Sequence, residues 1–297
     1  MKQFFKMVRF IWNHPLASKN RPLAFRQLLS WQFGQRMRPG PQQMSLVEDS
    51  ILIVEKGMEG ATGNIYTGLL EFEDMAFLLH ILRREDVFAD VGANVGVYTI
   101  LAAKNAGADV ISIEPIPSTF KRLQRNVAAN KVAEQVVLKA FGASASAGTL
   151  LFTASEDSVN HVVKNTEDSN GRPVIEVPVR TLDEMLEGRT PVLLKIDVEG
   201  FEWPAFLGAS RLLADPGLKA LIVELNGSGS RYGFQEEQLH RLLLSNGFTP
   251  YSYEPFERSL KRKDWYGTLN TIYGRDFDWI TRRVLTARKY RILNIEV

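Results

Sequence analysis

Cysteine is absent from all 297 residues, which excludes disulfides, thiolate metal centres and thiol nucleophiles together. Histidine is scarce, at four residues. No apolar run approaches the roughly 20 residues that a membrane span needs. The N-terminal apolar residues are interrupted by Lys6 and Arg9, and neither an apolar core nor a small-residue cleavage site of a secretory signal follows. Acid is missing from the whole stretch before Glu48, although Lys2, Lys6, Arg9, Lys19, Arg21, Arg26, Arg36 and Arg38 lie there. Internal repeats and low-complexity tracts are also lacking. With 45% hydrophobic and 24% charged residues, the remainder suits one large globular domain with additions rather than two full domains. The expected division is a basic helical arm over 1–49, a main domain over 50–275 and a basic tail over 276–297. Pro39-Gly40-Pro41 marks the end of the arm. Cationic, aromatic helices there are expected to cap the main domain, with peripheral association at a membrane surface as the second reading. A cytoplasmic location is expected.

The most informative stretch is VFADVGANVGVYT, from Val87 to Thr99. A short apolar strand runs into Asp90 and then into Gly92-Ala93-Asn94-Val95-Gly96, from which a helix departs. Gly92 and Gly96 allow turn conformations and close backbone approach that a Cβ would obstruct. About twenty residues further on, Glu114 closes a second apolar strand, where an acid can accept both hydroxyls of a ribose. A dinucleotide site wants a third glycine where Asn94 stands, and Asp90 would repel a pyrophosphate. An acid at the strand tip instead suits the cationic methionine end of S-adenosylmethionine.

Alternating strands and helices predict an α/β fold with ligands at the carboxyl ends of the strands. Residues 50–59 read as a strand pair leading to a turn at Gly60-Ala61-Thr62-Gly63, and 72–82 as a helix. After the second strand, Ser118 or Thr119 is expected to cap a helix. A third strand, Val136 to Ala140, precedes the small-residue loop that begins at Gly142, where an adenine could approach the backbone. Residues 148–180 break the alternation as an antiparallel excursion around a polar loop, 156–172, that holds Asn160, His161, Asn165 and Asn170. Thr181 and Glu184 form a capping-box pattern. A very apolar strand, Val192 to Ile196, then ends in Asp197-Val198-Glu199-Gly200, and another ends at Glu224, before Asn226. A C-terminal strand pair would complete seven strands with one antiparallel edge.

The segments DVGANVGVYT, ISIEPIPSTFKRLQRNVAAN, VPVRTLDEML and LLKIDVEGFEWPAFLGA together resemble the FkbM family of S-adenosylmethionine-dependent methyltransferases. The resemblance runs from about Asn64 to Tyr273. It implies a class I, Rossmann-like methyltransferase fold: a seven-stranded, mostly parallel sheet with helices on both faces. It also implies O-methylation of a sugar, glycan or natural-product acceptor. For single positions it implies that Asp90, Gly92, Ala93, Asn94 and Gly96 line the methionine and turn region, and that Glu114 binds the ribose.

A sugar hydroxyl is a poor nucleophile until its proton leaves. Asp197 is the first candidate base, with Glu199, Lys195 and His161 behind it. The alternative is Mg²⁺ held by Asp197, Glu224 and Asn226, an all-oxygen set. Two other functional classes stay open: a nucleic-acid methyltransferase, which the basic arm would serve through phosphate attraction, and a cofactor-binding module without turnover. No nucleic-acid-binding module is recognisable in the sequence, so nucleic acid is not the expected partner.

Overall fold

A computed structural model describes residues 2–154, 160–163 and 171–297. The chain opens with two helices, α1 (Lys2–Asn13) and α2 (Arg21–Met37), and a hairpin of β1 (Gln42–Ser45) and β2 (Ile51–Val54). Helices α3 (Glu59–Thr67) and α4 (Phe72–Ile81) lead into β3 (Val87–Val91), α5 (Val97–Ile100), β4 (Asp109–Ile113), α6 (Pro117–Ala129) and β5 (Val136–Lys139). The excursion consists of β6 (Gly142–Ala143), β7 (Gly148–Thr153), β8 (Val162–Val163) and β9 (Val174–Arg180). Alternation resumes with α7 (Leu182–Met185), β10 (Leu193–Ile196), α8 (Glu202–Leu207), α9 (Ser210–Ala214), β11 (Ala220–Glu224) and α10 (Glu236–Ser245). Last come β12 (Thr249–Glu254), β13 (Ser259–Arg262), β14 (Asn270–Gly274), α11 (Phe277–Leu285) and a hairpin of β15 (Arg291–Ile292) and β16 (Ile295–Glu296).

The main sheet has the order β13-β12-β14-β11-β10-β3-β4-β5. From β5 to β11 the strands are parallel, and β14 runs antiparallel to both β11 and β12. The α/β class and Rossmann-like layering agree with the sequence reading, and two details correct it. One antiparallel strand, β14, is interior, inserted between β11 and β12, and the antiparallel edge is a further strand, β13. This eighth strand, β13, pairs antiparallel on β12, within the charged stretch 258–264. Its side chains lie half-buried or exposed, so charge on an edge strand is tolerated.

Three local expectations also change. Residues 60–63 are not a turn: both glycines lie inside α3, where Gly63 packs against Leu70 too closely for a Cβ. The first hairpin pairs 42–45 with 51–54, an earlier register than 50–59. Neither Ser118 nor Thr119 caps α6, because Pro117 already occupies its first turn. The capping box at Thr181 and Glu184 is present as read. The excursion is a separate sheet, ordered β6-β9-β7-β8. Asn165 and Asn170 of its polar loop lie outside the described residues.

One apolar cluster joins the arm, the sheet and the tail: Ile11, Leu16 and Leu28 belong with Phe77, Leu101 and Phe88, and with Ile280, Tyr290 and Val297. At Gly68, whose φ of 80° favours glycine, a Cβ would collide with Leu16, Ile292 and Leu293. Asn20 Nδ2 donates to the Leu293 carbonyl at 3.0 Å. Among the described residues no helix is long and apolar enough to cross a membrane.

Candidate active site

A cavity opens where β3, β4 and β10 end, and its walls include Asp90, Glu114, Lys195 and Asp197. Turn residues 92–95 form its floor, and Gly142 and Phe152 of the excursion, with Asn160 beyond β7, form a side. The turn is internally saturated. Gly92 and Ala93 N–H both donate to the Ile113 carbonyl, at 2.9 and 3.0 Å, and Gly96 N–H donates to Ala93. Asn94 N–H donates to Glu114 Oε2, and Val95 N–H to the Asn94 side chain. Asn94 holds a left-handed backbone, φ 51°, as asparagine does more readily than most residues. Gly92, at φ 77°, touches a neighbouring strand: an ideal Cβ there would stand 1.8 Å from the Asp197 carbonyl oxygen.

Glu114 is 5% exposed, and its second oxygen accepts the Ile116 N–H. Burial raises its pKa to about 7 against the pull of these two backbone donors. Asp90 is 1% exposed; Oδ2 accepts the Thr99 hydroxyl at 2.6 Å, and Oδ1 is buried without a partner. Burial raises its pKa, with Lys195 opposing. Asp90 and Lys195 are register partners on adjacent parallel strands, so their side chains share one face. Lys195 Nζ lies 2.9 Å from Asp197 Oδ2 and 4.8 Å from the centre of the Tyr98 ring. Burial works against its charge, but Asp197, Glu71 and Asp90 outweigh burial and raise its pKa. Glu71 accepts from Tyr98 Oη at 2.7 Å and from Asn270 Nδ2 at 3.0 Å, and Asn270 also donates to Asp74. A single buried ammonium therefore serves a ring of acids.

The loop after β10 is held from below. Glu202 Oε1 accepts the Val198 and Gly200 N–H groups, and burial raises the Glu202 pKa to about 7. Gly200, at φ 95°, lies against the backbone of Ser228, where a Cβ would not fit. Glu199 also lines the cavity, from a left-handed backbone with φ 55°. His161 sits 8% exposed beside Thr153, while its neighbour Asn160 is the residue at the cavity wall.

Two of the three candidate metal ligands, Asp197 and Asn226, have partners within the protein. Asp197 Oδ2 is paired with the Lys195 ammonium, and Asn226 Oδ1 accepts the Ser228 N–H at 2.9 Å. Burial and the nearby Asp197, Glu199 and Glu202 push the Glu224 pKa far up. Among the described residues, no group of three or more histidines, aspartates or glutamates is arranged to hold a metal ion.

Residues 90–250 match the Methyltransferase FkbM domain, so the matched segment begins at the acid of the first strand and includes the loop after β10. The chain belongs to the FkbM methyltransferase family. The hexuronic acid methyltransferase AglP of Haloferax volcanii is 30% identical over 162 residues, covering 52% of this chain and 62% of that protein. This chain thus spans less than two thirds of that relative. The methyltransferase sdnD of Sordaria araneosa is 26% identical over 209 residues, covering 60% of this chain and 79% of that one. A crystal structure of a methyltransferase FkbM from Methylobacillus flagellatus aligns at 16% identity and a TM-score of 0.46, over 89% of this chain and 60% of that chain.

In this FkbM domain, Lys195, Glu71 and Tyr98 are the site residues that sequence reasoning underweights. Their signal is weak but present: a lysine in an otherwise apolar central strand needs a counter-charge, and the register supplies it. Glu71 directly precedes α4 and lines the cavity.

The raised acids make a pH prediction. Asp74, pushed to about 7 by burial and by Glu71, joins Glu114 and Glu202, also at about 7. Their folded pKa values exceed the ordinary ones, so the unfolded chain releases these protons first and stability falls as pH rises. The stabilising protonation is complete below about pH 4 and lost by pH 7 to 8. Thermal melts of the ligand-free protein between pH 5 and 8 are expected to show Tm declining with pH, with a shallower slope in Glu114→Gln. A Tm that rises through this window contradicts the burial argument. Surface acids with lowered pKa values, such as Glu48, act oppositely but weakly.

Proposed function

We propose that this chain transfers the methyl group of S-adenosylmethionine to a hydroxyl of a sugar, glycan or natural-product acceptor. The observation that carries the reading is the saturated turn: all five amides of residues 92–96 are taken internally. That leaves the turn no free N–H cradle for a pyrophosphate, while carboxylates line the same cavity. Such a site favours a cationic cofactor carrying a ribose. Family membership supports methyl transfer, and the hexuronic acid named for the Haloferax relative supports a sugar as acceptor.

The residues fit that cofactor. Each Glu114 oxygen accepts one backbone N–H, and a carboxylate oxygen has a second lone pair to offer a ribose hydroxyl. Asp90 Oδ1, buried and unpartnered, is a fixed negative end for the methionine ammonium. Gly142 and Phe152 border the same cavity on the side assigned to the adenine. When bound, S-adenosylmethionine supplies a methyl group already activated by its sulfonium. The protein's part is then to position the acceptor and to take its hydroxyl proton. Asp197 is the proposed proton acceptor, oriented by the Lys195 ammonium, with Glu199 and His161 as lesser candidates.

The test is transfer of labelled methyl from S-adenosylmethionine to uronic acids, neutral sugars, glycolipids, alcohols of natural-product type and RNA. Labelled carbohydrate with unlabelled RNA is expected. Tight binding of NAD without binding of S-adenosylmethionine overturns the assignment. Asp197→Asn is expected to keep cofactor affinity within about twofold and to lower kcat about a hundredfold, the range of a lost general base. Unchanged kcat removes Asp197 from the chemistry.

A further inference from the structure

Helix α2 is apolar on two sides. Ala24, Leu28 and Trp31 are buried against the core, as one helical face should be. Leu29, Phe33 and Met37, spaced four residues apart and so also sharing a face, are 48%, 58% and 82% exposed. This second stripe extends about 12 Å along the helix. Arg26, Arg36 and Arg38, all exposed, flank it. Helix α1 adds exposed aromatic side chains, Phe5, Phe10 and Trp12, and Lys6, Arg9, Phe10 and Asn13 line an open depression there. Ion pairs with acidic side chains are absent at Lys6, Arg9, Arg26, Arg36 and Arg38 among the described residues, and no acid precedes Glu48 in the sequence.

We propose that the exposed stripe of α2, with the exposed cations and aromatic side chains of the arm, docks on an anionic lipid surface. An exposed apolar row bordered by unneutralised arginine and lysine matches an interface in which apolar side chains enter the acyl boundary and cations meet lipid phosphates. A polyanion such as RNA would satisfy the cations but leave Leu29, Phe33 and Met37 without a reason to be apolar. The charge therefore selects a negative partner, and the stripe selects one with a hydrocarbon interior. The inference is independent of the acceptor's identity.

Sedimentation of the full chain with vesicles tests it. Binding is expected to vesicles of phosphatidylcholine with about one third phosphatidylglycerol, and to weaken by at least tenfold both with phosphatidylcholine alone and in about 0.5 M salt. Phe33→Glu combined with Met37→Glu is expected to lower binding at least tenfold while Tm and S-adenosylmethionine affinity stay unchanged, since neither residue lines the cavity. Arg26→Glu with Arg36→Glu should lose only the component that depends on phosphatidylglycerol. The proposal is overturned if the protein ignores anionic vesicles at low salt, or if Phe33→Glu with Met37→Glu binds them equally well. It is also overturned if light scattering shows a dimer that this double variant disrupts, which would assign the stripe to a second copy.

Discussion

Lys195→Met is expected to destabilise the protein by about 3–5 kcal/mol at neutral pH, the usual cost of stranding a buried charge by removing its partner, and to abolish measurable turnover. Lys195 is 4% exposed and is the cation shared by Asp197, Glu71 and Asp90. Methionine fills much of the same volume without charge, leaving these acids to repel one another in a poorly solvated site. The predicted signature is asymmetric in pH. The variant should recover part of its lost stability as pH falls from 8 to 5 and the stranded carboxyls take up protons. Chemical denaturation at both pH values reads the stability difference, and labelled-methyl transfer reads activity. A variant with wild-type stability at pH 8 would mean that the ring of acids does not depend on this ammonium.

Gly92→Ala is expected to abolish cofactor binding and to lower stability by about 3 kcal/mol. The strained backbone accounts for about 1 kcal/mol, and overpacking for the rest. The cause lies in the neighbouring loop. A Cβ at residue 92, 1.8 Å from the Asp197 carbonyl oxygen, can be accommodated only by pushing two strand ends apart. Asp197 and its ion pair with Lys195 would move with them. Calorimetric titration with S-adenosylmethionine and thermal melting separate the two effects. Retained affinity would show that the turn and the β10 loop can shift independently.

Much of the architecture can be read from the residues because local and tertiary demands coincide there. Apolar runs ending in Asp90, Glu114 and Asp197 are central strands, and Thr181 with Glu184 satisfies the end of a helix by local chemistry alone. The failures share a cause. The order β11-β14-β12 is decided by which strands meet in space, and no periodicity encodes it. Two glycines made α3 look like a turn, but helix propensity is a weak preference that packing against Leu70 overrides. At the site, sequence spacing identifies Asp90 and Glu114 as a pair but not what they touch. Glu114 meets Asn94 because a left-handed residue turns its amide across to the next strand. Lys195 meets Asp90 because strand register sets them side by side.

The junction at Gly68, where Leu16 meets Ile292 and Leu293, also orders events during synthesis. The helical arm is synthesised well before residues 290–297, which supply part of its packing surface. Until then its inner apolar face stays unsheltered beside a run of cations. An early-made segment therefore waits for a late one, and a chain cut short before residue 290 would carry that face open to chaperones and proteases.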